Sequence, residues 1–297
     1  MSGSEEPAMR RWYETALRMF KIMMSLSRTR SDLVYDLLAQ DDLWSVDSTY
    51  LNLGFWPGAD NIDDASRQLA TLVASRANVR EYHLVLDAGC GFGDQCSLWA
   101  DLYPHTRFCA ISNSLPQLKH AMQLVRQRKL DGRVSLVHCD ATASPFPANT
   151  FDRILALESA FHFDTRHDFF RHAWQLLKPG GRIVLADFIA RPSVDFVHRM
   201  ARELGGAAWQ IPRANLCSRE QYQAGLQSCG FTKIDIQNVT EQVIEPFAKF
   251  IRDRYRQPEY RRDAQPLVRV AARIMTGAGF LESLDYVIAS ADKPIRA

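Results

Sequence analysis

The apolar positions change their period along the chain, and those changes mark out its elements. From Arg10 to about Gln40, Leu17, Phe20, Met24, Leu33 and Leu37 recur at helical spacing, which predicts one or two helices behind a loose tail of residues 1–9. An aromatic stretch from Tyr50 to Gly58 closes on turn residues, and Asp63-Asp64 is placed to cap a helix running through Ala77. Beyond it, short continuous apolar runs alternate with helical ones. Leu84–Leu86, Phe108–Ile111, Val134–His138, Phe151–Leu157 and Arg182–Ala186 read as strands. Helices are expected up to Asp101, from about Leu115 to Leu130, and from about His167 to Leu177, where Lys178-Pro179-Gly180-Gly181 stops the last of them. Residues 191–228 read as mostly helical, and Phe231–Val239 and Tyr286–Ala291 as two late strands with helices between them. Strands apolar on both faces and separated by helices predict an α/β fold, with a mostly parallel sheet covered on both sides.

Composition narrows the class without naming it. The chain has 297 residues, 46% apolar and 24% charged, enough for a substantial core in one large or two small domains. Thirty-six basic residues against 34 acidic ones leave a net charge of +2, which gives no support to nucleic-acid or anionic-membrane binding. No apolar run approaches the roughly 18 residues of a membrane span. Lys21 interrupts the apolar stretch near the N-terminus and no cleavage site follows, so a signal peptide is not expected. The six cysteines form no CxxC pair or Cys/His cluster, so no metal is expected and a reduced, cytoplasmic setting is.

The sharpest local signal is Leu84-Val85-Leu86-Asp87-Ala88-Gly89-Cys90-Gly91-Phe92-Gly93. A strand feeds a loop with glycine at alternate positions, a backbone able to turn tightly and approach a ligand closely. The spacing is G-x-G-x-G, and Asp87 stands directly before it. A carboxylate there repels a pyrophosphate and suits an ammonium group, which points away from NAD and towards a nucleoside carrying an amino acid. In open parallel sheets ligands bind at the carboxyl ends of the strands. Those ends carry Asp87, then Ser112 and Asn113, then Asp140-Ala141, then Leu157-Glu158 leading to Phe161-His162, then Asp187.

Through these residues the chain resembles the class I S-adenosylmethionine-dependent methyltransferases, in their small-molecule, natural-product O-methyltransferase branch. The blocks VLDAGCGFG, HCDATASPFPANTFD and LLKPGGRIVLADF carry the likeness, which is good over residues 45 to 190 and looser elsewhere. It implies a Rossmann-like, mostly parallel seven-stranded sheet. An N-terminal cover of residues 1–45 precedes a methyltransferase domain of residues 46–297, with a cofactor half at about 80–190. A helical lid follows at about 191–228 and further helices at 241–280. The implied cofactor is S-adenosyl-L-methionine, giving S-adenosyl-L-homocysteine. Asp87, Gly89, Gly91, Gly93 and Gln95 would hold its methionine end. Ser112 and Asn113 stand where most members carry a ribose-binding acid, Asp140 and Ala141 would face the adenine, and Leu157 and Glu158 complete the site.

For the chemistry, the likeness assigns His162 as general base and Asp187 as the group orienting it or the substrate. A second histidine frequent in relatives is Phe161 here. Tyr50, Trp56, Phe161 and Trp209 are expected to wall an acceptor pocket. Each choice has a plainer alternative: a packing histidine, a structural strand-end carboxylate, core aromatics, a surface turn at Asp140. The arginine-rich run from Arg252 to Arg273 is interleaved with Asp253, Glu259 and Asp263 and reads as a solvated helix face or a subunit contact in a homo-oligomer. The expected function is methyl transfer to a hydroxyl of a small, fairly apolar natural product. Carbon methylation of a prenyl or other alkene acceptor, with those arginines on a diphosphate, is one alternative. A cofactor-binding scaffold or cyclase that transfers no methyl is another.

Overall fold

A computed structural model describes residues 48–192, 195–256 and 279–295. The expected N-terminal cover of residues 1–45 and most of the arginine-rich run lie outside the described residues. Seven strands form one sheet in the order β3-β2-β1-β4-β5-β7-β6. They are β1 (Leu84–Ala88), β2 (Arg107–Ser112), β3 (Val134–His138), β4 (Phe151–Leu157), β5 (Leu177–Ala190), β6 (Thr232–Asn238) and β7 (Leu284–Asp292). The first five are parallel, and β7 runs antiparallel to both β5 and β6.

Seven α-helices are described: α1 (Ile62–Arg76), α2 (Asp94–Leu102), α3 (Leu115–Gln127), α4 (Arg166–Leu176), α5 (Phe196–Ala208), α6 (Arg219–Ser228) and α7 (Thr240–Arg256). The side-chain period of two along each strand sends alternate residues to opposite faces, so each face builds its own core. On β5, Val184, Ala186 and Phe188 pack with Leu69 of α1, Trp99 of α2 and Phe247 of α7. Ile183, Leu185 and Ile189 pack with Phe169 and Phe170 of α4 and Tyr222 of α6.

Three boundaries differ from those the sequence predicts. Asn61, not Asp63-Asp64, caps α1, its side chain accepting from the Asp64 amide at 2.9 Å, while the two aspartates fill the first turn. Helix α3 ends at Gln127, before Lys129 turns into the left-handed region. The Lys178–Gly181 segment belongs to a longer β5. Leu177 pairs with Phe151, and the Gly180 and Lys293 amides donate to the Lys293 and Gly181 carbonyls at the sheet's end.

Candidate active site

Parallel strands end together, so the loops after β1 to β4 converge on one edge of the sheet. There they enclose a cavity of about 290 Å³. The glycine loop forms its floor. Gly89 and Gly91 have left-handed backbones, φ +92° and +54°, which glycine adopts without a side-chain penalty. A Cβ on Gly89 would collide with Ser159, whereas one on Gly91 would meet nothing closer than Leu51 Cδ1 at 3.9 Å, because that side of the loop faces the cavity.

Asp87 is wholly buried beneath this loop. Its Oδ1 accepts from Gln95 Nε2 at 2.8 Å, and its Oδ2 has no hydrogen-bond partner. Burial pushes its carboxyl up to about 7. A buried carboxylate oxygen without a donor is costly, and a cationic ligand group is the kind of partner that relieves it.

The side walls come from the other strand ends. Ser112, Asn113, Asp140, Ala141 and Leu157 line the cavity. Ser112 Oγ donates to Gln117 Oε1 at 3.0 Å, and Asp140 Oδ1 accepts from the Thr142 amide and hydroxyl at 2.7 and 2.8 Å. Glu158, directly after β4, takes the left-handed region at φ +49°, an unusual conformation for a side chain of its size. Its Oε1 accepts from the Leu53 amide at 2.9 Å and the Tyr286 hydroxyl at 2.7 Å, and burial pushes its carboxyl up to about 7.

Over the cavity runs the 48–56 segment. Three carboxylates pin it: Glu158 through Leu53, Asp94 at the start of α2 through the amide and hydroxyl of Thr49, and Asp63 in α1 through the Ser48 hydroxyl. Thr49, Asp94 and Gln117 also line the cavity, and the sequence pattern singles out none of them. Asp94 and Gln117 carry a usable signal, because the first turn of the helix after each strand lies at this same edge.

His162 sits on the wall, in a 3-10 turn of Ala160–His162. Its Nδ1 lies 3.4 Å from the Gln210 carbonyl. A carbonyl only accepts, so this contact favours the neutral tautomer with the proton on Nδ1. Burial pushes its pKa down to about 4. Asp187 is elsewhere. Wholly buried, it lies 3.0 Å from Arg166 Nε and accepts from the Tyr222 hydroxyl at 3.1 Å and the Phe188 amide at 2.9 Å. These partners hold it in the core below the turn, not on the cavity wall.

Of the four residues expected to wall the acceptor, Tyr50 lines the cavity. Trp56 donates its indole N–H to the Leu53 carbonyl and packs on Phe250 in a second, outer cavity of about 730 Å³. Phe161 is buried against Phe188, with ring centroids 5.0 Å apart. Trp209 is wedged between Phe188 and Phe280. Both follow the usual preference of large aromatics for the core. Gly93 caps α2 and packs against Ala121, outside the lining.

The model of a methyltransferase domain matches residues 86–185. The erythromycin 3''-O-methyltransferase of Saccharopolyspora erythraea is 31% identical over 277 residues, 90% of each chain. This chain belongs to the class I S-adenosylmethionine-dependent small-molecule methyltransferases. S-adenosylmethionine is its cofactor. The 27-O-demethylrifamycin SV methyltransferase of Amycolatopsis mediterranei is 29% identical to this methyltransferase, over 70% of its chain and 75% of the relative. Among solved structures, the cyclase SpnF superposes with a TM-score of 0.71 at 23% identity, covering 89% of this methyltransferase and 96% of SpnF, a likeness of fold. Among the described residues no helix is long and apolar enough to cross a membrane, and no group of three side chains is placed to hold a metal ion.

Proposed function

We propose that this methyltransferase methylates a hydroxyl of a small, fairly apolar natural product, with His162 as general base. Bound S-adenosylmethionine supplies an already activated sulfonium methyl. What the chain must add is in-line positioning, exclusion of water and removal of the hydroxyl proton. The residues fit the cofactor: the unpartnered Asp87 Oδ2 suits its ammonium group, and the bare face of Gly91 leaves room for its methionine end. In this reading Gly89 and Gln95 complete that end, Ser112 and Asn113 face the ribose, Asp140 and Ala141 the adenine, and Leu157 and Glu158 the centre of the cavity.

The observation that carries the base assignment is His162 on the wall of the same cavity, its Nδ1 3.4 Å from the Gln210 carbonyl, a contact that favours the Nδ1–H tautomer. Neutral imidazole accepts a proton; imidazolium does not. Asp187 enters as a structural carboxylate paired with Arg166. The hydroxyl specificity is supported by the O-methyltransferase relatives. Of the arginine-rich run, the described Arg252 and Arg256 are exposed and Arg254 lies against Phe250 at the outer cavity, so none of these three lines the cavity of the proposed site.

The test is transfer of a labelled methyl group from S-adenosylmethionine into a panel of hydroxylated apolar small molecules. His162→Gln should abolish most of that transfer while retaining S-adenosylhomocysteine affinity. Transfer undiminished in the variant contradicts the base assignment.

A further inference from the structure

The turn that carries His162 is fastened from the far side by one buried side chain. Asn215, 2% exposed, lies in a short 3-10 turn of Arg213–Asn215 behind α5. Its Nδ2 donates to the Phe161 carbonyl at 2.9 Å and to the Phe163 carbonyl at 2.7 Å, the carbonyls of the residues before and after His162. Its Oδ1 accepts from the Arg166 amide at 2.9 Å, at the start of α4. Both amide protons and the carbonyl of one carboxamide are thus committed to residues 161, 163 and 166. The same stretch of chain supplies the Gln210 carbonyl to His162 Nδ1. Only a carboxamide offers two donors and an acceptor in one small plane. Aspartate lacks the donors, and serine has one.

We infer that Asn215 is the positioning residue that sets the orientation and tautomer of the His162 ring. The Phe161 carbonyl belongs to the peptide that enters His162, and the peptide that leaves it is held by the Phe163 amide, which donates to the Ala160 carbonyl at 3.2 Å, so with Phe163 itself anchored through its own carbonyl the turn fixes the direction of the His162 Cα–Cβ bond relative to the Gln210 carbonyl. Its catalytic meaning rests on His162 being the base. The charged group that also bears on the ring is Arg166, which together with burial disfavours the imidazolium.

The experiment is nitrogen NMR of uniformly nitrogen-15-labelled protein, with His162→Gln used to assign the ring signals and Asn215→Ala the Asn215 side-chain amide. In the unaltered protein the Asn215 side-chain amide protons should exchange slowly with solvent, and His162 should show the Nδ1–H tautomer with a low titration midpoint. In Asn215→Ala, and in the milder Asn215→Ser, the ring should populate both tautomers, and its midpoint should rise by about one pH unit or more as the turn loosens. S-adenosylhomocysteine affinity should stay unchanged, which a general loss of structure would not allow. A folded variant with the original His162 signals overturns the inference. So does fast exchange of the Asn215 amide in the unaltered protein, whether or not the variants fold. Undiminished methyl transfer by His162→Gln is a separate outcome. It removes the base assignment and leaves the positioning of the ring to be decided by these spectra.

Discussion

Arg166 and Asp187 form an ion pair inside the molecule, with Nε 3.0 Å from Oδ2 and side chains only 3% and 0% exposed. Arg166 Nη2 also donates to the Phe188 carbonyl at 3.0 Å, and Tyr222, over whose ring the guanidinium lies, donates to Asp187. The pair joins the first turn of α4 to the end of β5, directly beneath the turn bearing His162. Burial pushes the Asp187 carboxyl upward and the Arg166 guanidinium opposes that shift. Such a pair is costly to break from one side, because the remaining charge stays buried without compensation.

Asp187→Asn should therefore lower unfolding stability by about 3–5 kcal/mol. Urea denaturation reads it. Replacing both partners, Arg166→Met with Asp187→Leu, should cost less than the single change, since no buried charge is then left alone. A single variant as stable as the parent would place Asp187 outside the structural role.

The two glycines of the cofactor loop should separate folding from binding. Gly89→Ala drives a Cβ into Ser159, whose Oγ donates to the Ala88 carbonyl at 2.5 Å, so it should impair folding. Gly91→Ala points its Cβ into the cavity. It should cost about 1–2 kcal/mol for a left-handed alanine. It should also weaken S-adenosylhomocysteine binding by about tenfold or more, because the added methyl occupies space the methionine end needs. Thermal melts and titration calorimetry on the pair check both.

Two buried carboxyls give the site a pH dependence of definite sign. Asp87 and Glu158 are both pushed up to about 7 by burial, from ordinary values of 3.8 and 4.5. The stability they contribute is complete below those ordinary values and is lost as pH rises to about 7, because only the unfolded chain ionises freely in between. Cofactor binding should run the other way. In the proposed placement of the cofactor its ammonium group selects ionised Asp87, so S-adenosylhomocysteine should bind more weakly as pH falls below about 7, by about tenfold per unit for one coupled proton. Asp87→Asn should bind weakly at every pH and abolish its part of that slope.

Much of this molecule is legible in the order of its residues. The period of two on apolar strands, broken by helices, sets the sheet, and the strand ends name one side of the cavity: Ser112, Asn113, Asp140, Ala141, Leu157, Glu158 and His162 all line it. Side-chain direction is not legible. Asp187 and Trp209 stand close to His162 in the chain's topology, yet Arg166 draws the first into the core, and Phe188 and Phe280 hold the second. Trp56 lies on the strap over the cavity and points to its outer side, because its indole N–H is taken by Leu53. Asn215, distant from any motif, is visible only once both carbonyls beside His162 are seen to need a donor.

With its pKa pushed down to about 4, His162 is neutral throughout the physiological range. Methyl transfer should then lose activity through this residue only at pH values near or below about 4–5, while His162→Gln should lower the maximal rate by about 10²–10⁴-fold at neutral pH. Rate–pH profiles of both proteins, at saturating cofactor, check this. A variant rate that meets the parent rate at low pH and falls behind above it is the expected pattern.

The most direct measurement follows the methyl group itself. The protein is incubated with S-adenosylmethionine carrying a carbon-13 methyl and the hydroxylated acceptor that takes up label, and the product is identified by carbon NMR. Transfer to a hydroxyl places the enriched signal in the methoxy region, and His162→Gln should suppress it. An enriched methyl bonded to carbon, or a methoxy product formed equally well without His162, would contradict the proposed function.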